Sequence, residues 1–166
     1  YAISLRLVGS EMCIRDRAKD ALRDAGLNEA LQYAFNSKAW LKHFSASNSD
    51  WVRLMNPLSE DQEILIPSLL PGLIHSAQEN WKRHFGAQSP SVRFFEIRPT
   101  FYLRDDQNSP KNSQKQMETG IVEDWKLALL ISGQRDQNAL KAEQKDVDFF
   151  DIKGILENLC FALRLK

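Results

Sequence analysis

Apolar residues recur at helical spacing in the middle of the chain, between Leu70 and Gly86. Charged and amide side chains take the opposite side, as expected of a helix with one buried face. Pro71 suits the first helical turn, and Gly86 stands where a left-handed C-terminal cap is common. The pattern predicts an amphipathic helix whose buried stripe consists of Leu70, Leu73, Ile74, Ala77, Trp81 and Phe85.

Strand patterns follow this helix. Residues rich in β-formers over 92–97 and 100–103 predict two strands that meet at Arg98-Pro99, because proline interrupts a ladder. Residues 105–119 are almost entirely polar and are expected to form a solvated hairpin loop. The apolar run Trp125–Ile131 predicts a central strand that is buried on both faces.

The N-terminal half begins with helix formers over Ala18–Ala25, and Gly26 is expected to end that helix. The loose alternation of Glu29–Phe35 predicts a half-buried strand. Ser37 is predicted to cap a short amphipathic helix that contains Trp40, Leu41 and Phe44. Trp51–Met55 is predicted to form a further short strand.

The C-terminal segment Val147–Gly154 leads into a helix. Its predicted apolar face consists of Ile155, Leu156, Leu159, Cys160 and Leu163. An acidic cluster stands where this helix begins: Asp146, Asp148 and Asp151. Helix capping is favoured over binding of a divalent cation, because carboxylates favour the positive end of the helix dipole. Helices with mostly antiparallel strands predict an α+β fold.

Composition narrows the class of protein. The 166 residues suit one domain, and 22 basic and 22 acidic residues cancel, so no global field favours nucleic acid or an anionic membrane. No apolar run approaches the roughly 20 residues that span a bilayer. Cys13 and Cys160 cannot build a disulfide framework or a zinc site, which predicts a reducing, cytoplasmic setting.

The first seventeen residues, Tyr1–Arg17, lack the periodicity of the rest. The string from Ser4 to Asp16 resembles a peptide found at the ends of unrelated assembled sequences, where adapter nucleotides have been translated. We therefore expect residues 1–17 to be a non-native leader and residues 18–166 to be part of a longer protein. The alternative is a native strand with a loop.

Residue patterns for catalysis are absent from the sequence. The histidines lack the spacing of metal ligands: His43, His75 and His84. No nucleophile elbow or glycine-rich phosphate loop occurs, and Cys160 is predicted to be an inert core thiol. Basic residues beside Trp81 are compatible with nucleic-acid contact, although a solvated helix face is the ordinary interpretation: Lys82, Arg83 and His84.

Five blocks, in this order, resemble the core domain of phenylalanine-tRNA ligase beta subunits. They are the helix with Gly26-Leu27-Asn28-Glu29 and a strand ending at Phe35, then Leu54–Ser59, Ser68–Leu73 with Asn80, Phe94–Ile97, and Val147–Gly154. The resemblance implies a class II aminoacyl-tRNA synthetase-like fold, an antiparallel sheet flanked by helices.

The resemblance also implies a function. In that family the beta core lacks the activity of the alpha subunit and packs against it in a heterotetramer of two alphas and two betas. The whole enzyme joins phenylalanine to tRNA(Phe) with ATP and Mg²⁺. We expect no catalytic, cofactor-binding or metal-binding residue on this segment.

One departure from class II catalysts supports that expectation. Those catalysts carry Phe-Arg-x-Glu, in which a forked guanidinium grips the ATP α-phosphate. The corresponding residues here are Phe101-Tyr102-Leu103-Arg104, so tyrosine replaces the arginine. Arg104 is displaced from the required position, and small displacements are costly in catalysis.

The chain also departs from the beta family. Ile66-Pro67 stands where an arginine is common, and Arg98 stands where a glycine usually follows Phe-Glu-Ile. Three tryptophans are candidate anchors for the alpha subunit or core residues: Trp40, Trp51 and Trp81. Two other functions remain open. One is a free-standing synthetase-like protein that binds a small molecule or regulates an enzyme, and the other is a catalytic class II ligase, which Tyr102 disfavours.

Overall fold

A computed structural model describes residues 10–44, 50–83, 91–103, 120–135 and 145–165. Its helices are α1 (Ser10–Asp24), α2 (Lys38–Leu41), α3 (Leu70–Arg83) and α4 (Phe149–Ala162). Its strands are β1 (Asn28–Glu29), β2 (Phe35–Asn36), β3 (Ile64–Leu65), β4 (Val92–Leu103) and β5 (Ile121–Ser132). A 3₁₀ turn, Glu60–Gln62, precedes β3. Helices and strands are thus mixed, which confirms the predicted α+β class.

The larger sheet has the order β1-β4-β5. β1 is parallel to β4, with Asn28 opposite Phe94, whereas β5 is antiparallel to β4 along its full length. A smaller antiparallel sheet joins β2 and β3. The described part of the chain therefore contains one long two-stranded ribbon extended by short elements.

β4 runs without a break through Pro99, so the prediction of two strands meeting there was wrong. Phe101 and Leu103 donate their N–H groups to Ile66 and Asp50, on the side of β4 away from β5. Because alternate residues point their N–H groups the same way, the nitrogen of Pro99 also faces away from β5. A proline at that position removes no bond of the β4–β5 ladder.

β5 is longer than predicted and is not central. Within the described residues it forms the edge of the sheet, and its side chains are mostly half-buried. Trp125 is 45% exposed, with the Arg15 guanidinium 4.2 Å from its ring centroid. An apolar run can be half-buried because only one face of this strand packs against the main core.

The predicted strand Glu29–Phe35 is two short strands joined by an extended segment. Leu31 and Tyr33 in that segment are 85% and 78% exposed. Between the two strands, the backbone of Gln32 forms hydrogen bonds with the Glu96 and Arg98 side chains of β4 instead of backbone hydrogen bonds of a sheet. Alternating polarity alone could not distinguish these arrangements.

The predicted strand Trp51–Met55 is also absent, apart from one bridge between Arg53 and Ile64. Leu54 donates its N–H to Glu63, and Leu65 donates to Val52. The segment therefore contacts β3 only briefly. Ser37 caps α2 as predicted, accepting a 3.1 Å bond from the Trp40 N–H.

The main core lies between the sheet and the helices α1 and α4. Its buried residues are Ala18, Leu22, Leu27, Phe95, Ile155 and Leu159. α1 ends before Gly26, whose φ of 82° suits the predicted stop. α1 begins at Ser10, so its first residues belong to the segment 1–17, but the first buried side chain of the main core is Ala18.

Two helices bury narrower stripes than predicted. In α3, Leu73 and Ala77 are buried, whereas Leu70 and Trp81 are each 47% exposed. In α4, Leu156 is 42% exposed and Cys160 is exposed, so Cys160 is not a core thiol as predicted. Each helix packs on one side only, and residues at the border of its apolar stripe remain in solvent.

Some predictions lie outside the described residues. These are the hairpin loop over 105–119 and the positions Phe85, Gly86 and Arg104. Among the helices that the structure describes, none has the length and apolar character needed to cross a membrane.

Candidate functional site: the polar face of the sheet

The two faces of the β4–β5 ribbon differ in character. On one face Phe95, Ile97 and Leu127 contribute to the main core. The register pairs Arg98 with Lys126 and Thr100 with Asp124 on the other face. Because side chains alternate along a strand, Glu96, Tyr102 and Asp124 share this second face with them. We call it the polar face, consisting of Glu96, Arg98, Thr100, Tyr102, Asp124 and Lys126.

Gln32 connects the polar face to α3. Its backbone N–H donates to the Glu96 carboxylate at 3.1 Å, and its carbonyl accepts from the Arg98 guanidinium at 2.6 Å. Its side-chain amide donates to the Ser76 hydroxyl at 2.7 Å. Gly72 allows this approach, since a Cβ there would lie 2.9 Å from the Gln32 Cγ. One residue therefore fixes three elements relative to one another.

Glu96 is almost completely buried, at 1% exposure. Burial is the largest influence on its carboxyl group and raises the pKa above the usual 4.5, against the Gln32 hydrogen bond and the Arg98 charge. Arg98 lies 3.5 Å from the Glu96 carboxylate. Arg98, at the position where the resemblance implies a glycine, continues the strand and donates a hydrogen bond to the Gln32 carbonyl.

A cleft of about 450 Å³ opens beside the polar face. Tyr102 and Lys126 form its floor, and the start of α3 forms one wall. The lining residues are Leu41, Phe44, Asp50, Trp51, Pro67, Ser68, Leu70, Pro71, Tyr102 and Lys126. Most of this surface is apolar, and a few polar groups converge on it, which is the usual composition of a ligand cleft.

Tyr102 and Lys126 contact each other at the cleft. The ammonium of Lys126 lies 5.7 Å from the centroid of the Tyr102 ring, within the range of a cation–π interaction. Burial, followed by the charge of Asp124, raises the pKa of the Tyr102 phenol above its usual 10. The phenol therefore stays neutral at physiological pH and can donate or accept a hydrogen bond.

Among the described residues that line the cleft there is no arginine, the side chain whose charged fork of donors grips phosphate. Tyr102 presents one neutral hydroxyl rather than a charged fork of donors. Arg98 is on the same face, but its guanidinium is engaged by Gln32 and Glu96. Tyr102 follows Arg98 by four positions along the strand, which corresponds to roughly 13 Å.

The three candidate tryptophans differ in burial. Trp51 is 4% exposed and packs with Leu41 and Ile64 in a second small core. Trp40 is half-buried, and its indole N–H donates to the Pro71 carbonyl at 3.1 Å. Trp81 is 47% exposed, so of the three it offers the most surface for a partner.

His43 and His75 pack against a tryptophan, and two members of the acidic cluster cap a helix. His43 and His75 both make edge contacts with the Trp40 ring, and His84 lies outside the described residues. The Asp148 carboxylate accepts from the Phe150 and Asp151 N–H groups, and the Asp151 carboxylate accepts from the Asp148 N–H. This capping box confirms the interpretation of the cluster as a helix start.

Other candidates are not assembled into a site. Lys82 pairs with Glu79 on the solvated face of α3, and Arg83 approaches the same carboxylate. Cys13 and Cys160 are free and exposed. Within the described part of the chain, no three histidine, cysteine, aspartate or glutamate side chains are placed to hold a metal ion.

Lys126 was not predicted as a site residue, and the hydrogen bond between Gln32 and Glu96 was not predicted either. The alternation of Glu96, Arg98, Thr100 and Tyr102 with apolar residues was the available signal for a polar face. Proline at position 99 obscured it by suggesting a break. No sequence signal indicated that Gln32, 64 residues from Glu96, would contact it.

Comparison with known proteins connects this geometry to a family. Residues 9–166 match the family described as phenylalanyl tRNA synthetase beta chain CLM domain. The phenylalanine–tRNA ligase beta subunit of Syntrophotalea carbinolica is 29% identical over 147 residues, covering 86% of this chain and 16% of the relative. The beta subunit of Fusobacterium nucleatum is 33% identical over 138 residues, covering 83% and 16%.

A solved structure supports the fold. A histidine–tRNA ligase subunit from Alicyclobacillus acidocaldarius superposes with a TM-score of 0.64 at 14% identity, covering 100% of this chain and 41% of that one. At that identity the likeness concerns the fold alone, which is class II synthetase-like as predicted. The chain spans about one-sixth of the length of the curated relatives that it matches. The family match over residues 9–166 shows that this chain belongs to the phenylalanyl tRNA synthetase beta chain CLM domain family.

Proposed function

We propose that this chain acts as a non-catalytic core domain of a phenylalanine-tRNA ligase beta subunit. In this role it packs against the catalytic alpha subunit, in a heterotetramer of two alphas and two betas. The assembled enzyme attaches phenylalanine to tRNA(Phe) in the cytoplasm, with ATP and Mg²⁺. The family membership and the names of the relatives support this proposal.

The observation that carries the non-catalytic role is the chemistry of Tyr102. A neutral phenol lies at the cleft, at the position where the resemblance to class II catalysts implies an arginine, and the nearby Arg98 is engaged by Gln32. Stabilisation of charge developing on a transferred phosphate needs preorganised cationic donors. Lys126 is a point charge that rests on the Tyr102 ring and does not reproduce a bidentate clamp.

The described residues do not fit ATP with Mg²⁺. The cleft offers a phenol, an ammonium and the carboxylate of Asp50, without the set of carboxylates that would hold magnesium beside a nucleotide. We therefore assign ATP and Mg²⁺ to the alpha subunit of the assembled enzyme and derive no step at this cleft.

The surface supports a partner-binding role. Among the residues that the structure describes, seven large apolar side chains are each at least 71% exposed: Leu31, Tyr33, Met55, Leu58, Phe149, Phe150 and Phe161. Subunits that are permanently associated have large and hydrophobic interfaces. We therefore expect the isolated chain to self-associate or to be poorly soluble, and association with the alpha subunit to improve its solubility.

We further propose that residues 18–166 form the domain and that residues 1–17 are a non-native leader. The burial pattern supports this boundary, because the described side chains before Ala18 are half-buried or exposed. Ile14 is one of the half-buried ones, and Arg15 rests on Trp125. Neither contributes to the fully buried core.

Phenylalanine-dependent exchange of pyrophosphate into ATP tests the non-catalytic assignment. We expect the chain alone to remain at background and the complex with the alpha subunit to exchange. Mock-purified extract and heat-inactivated complex provide the controls. Exchange by the purified chain alone would overturn the proposal and favour a catalytic class II ligase.

A further inference from the structure

The cleft carries a cation, Lys126, that forms no ion pair with a carboxylate of the described residues. Lys126 and Arg98 are direct cross-strand partners on the polar face, and like charges placed opposite each other repel. Arg98 is satisfied by Gln32 and Glu96. Lys126 contacts only the face of the Tyr102 ring, with no carboxylate in ion-pairing range among the described residues.

The apolar part of the cleft lies beside this cation. Its apolar lining residues include the exposed Phe44 and Leu70 and the largely buried Leu41 and Trp51. Its volume of about 450 Å³ falls within the range of small-molecule sites, roughly 300–1,000 Å³. The cleft therefore combines an apolar wall with a positively charged end.

We propose that this cleft binds a small carboxylate-bearing molecule with an apolar body, with its carboxylate at Lys126 and its body against Trp51 and Leu70. The Tyr102 hydroxyl, which has no hydrogen-bond partner among the described residues, donates to the same carboxylate. Such binding goes beyond the scaffold role and does not depend on catalysis at this site.

Two acidic residues, Asp50 and Asp124, lie near the cleft. Asp50 also lines it, and its backbone carbonyl accepts from the Leu103 N–H at 2.8 Å. Asp124 affects Tyr102 electrostatically but does not line the cleft. The favourable position for a ligand carboxylate is at the Lys126 ammonium, with the apolar body directed toward the start of α3.

Isothermal titration calorimetry on the complete chain, at a concentration below that at which the chain self-associates, tests the proposal. Hydrocinnamate supplies the carboxylate and the apolar body, its primary amide removes the charge, and propionate removes most of the body. We expect hydrocinnamate to bind about tenfold more tightly than either, since tenfold corresponds to the roughly 1.4 kcal/mol expected of one good polar contact.

Three variants locate the interaction. Lys126→Met removes a charged contact and should weaken hydrocinnamate binding about tenfold. Tyr102→Phe removes a neutral hydrogen bond and should weaken it about threefold. Lys153→Met is the matched control, because that exposed lysine lies on α4, which packs on the opposite face of the sheet. It should bind like the unaltered chain.

Backbone and side-chain NMR shifts of the unaltered chain give a second measurement that needs no variant to fold. Hydrocinnamate should perturb the signals of Tyr102, Lys126 and Trp51 ahead of those on α4. The proposal is overturned by equal binding of the amide, by unchanged binding in Lys126→Met, by shifts elsewhere, or by no binding of hydrocinnamate up to its solubility limit. Binding of propionate as tightly as hydrocinnamate would overturn the apolar half of the site.

Discussion

Arg98 and Lys126 are directly opposite each other on β4 and β5, and the two cations contact different groups. The Arg98 guanidinium turns to the Gln32 carbonyl, which connects the sheet to the extended segment before β2. The Lys126 ammonium turns to the Tyr102 ring at the cleft. The same polar face therefore contains a structural half around Gln32 and an open half around Tyr102.

Glu96→Gln should alter the pH dependence of stability. Burial raises the pKa of Glu96 above 4.5, so the folded chain holds this proton more tightly than the unfolded chain. Its stability contribution is fully present below the unfolded pKa and is lost as pH rises through the folded pKa. The free energy of unfolding of the parent, relative to Glu96→Gln, should therefore fall as pH rises above 4.5.

Urea denaturation across a pH series measures this difference. The parent and Glu96→Gln differ by one titrating group, so other carboxylates cancel in the comparison. A difference that stays constant, or that increases with pH, would contradict the assigned direction of the Glu96 pKa shift.

Gly72→Ala should destabilise the fold, although alanine is the better helix former. The added Cβ would lie 2.9 Å from the Gln32 Cγ and displace its hydrogen bond to Ser76, a contact worth about 1 kcal/mol. Gly154→Ala in α4 is the matched control, since a Cβ added there would meet nothing within 4 Å. That change should stabilise by up to about 1 kcal/mol. Thermal unfolding that shows both variants shifted in the same direction would rule out the close approach of Gln32.

Asp148→Ala should cost about 1 kcal/mol by removing the acceptor for the first N–H groups of α4. Asp148→Asn should retain most of the stability, because asparagine caps comparably well. Asp146→Ala lies outside the capping box and should change the free energy of unfolding little. Chemical denaturation distinguishes these outcomes. Equal losses for Asp148→Ala and Asp146→Ala would indicate a general charge effect instead of a cap.

Deletion of residues 1–17 should cost less than the loss of a fully buried side chain, because the described side chains that it removes, such as Ile14, are half-buried or exposed. Leu22→Ala in the complete chain provides the scale, because Leu22 is fully buried and its truncation should cost about 2–5 kcal/mol. Denaturant unfolding of both proteins makes the comparison. A loss from the deletion as large as that of Leu22→Ala would show that these residues are integral to the domain.

Sequence periodicity predicted α2, α3 and α4, since an apolar stripe bounded by a cap is a local property, but it placed the start of α1 at Ala18 although the helix begins at Ser10. Ser37, Gly26 and Asp148 mark helix ends as predicted. It failed at the borders of the stripes, where Leu70 and Cys160 are exposed, because the width of a packing contact depends on the partner element.

The strands were harder to predict, because their pairing depends on distant segments. Pro99 suggested a break, but the direction of its nitrogen within the sheet makes it harmless. The candidate site shows the same division. Tyr102 was identified from its place in a short motif, whereas Lys126 and Gln32 joined it only through long-range pairing.

The most direct test of the scaffold role is co-expression of the tagged chain with a phenylalanine-tRNA ligase alpha subunit, followed by affinity capture and size-exclusion chromatography. The untagged chain controls for nonspecific retention of the alpha subunit. We expect the two proteins to co-elute as one complex with equal numbers of each subunit. A soluble monomeric chain that leaves the alpha subunit in the flow-through would contradict the account.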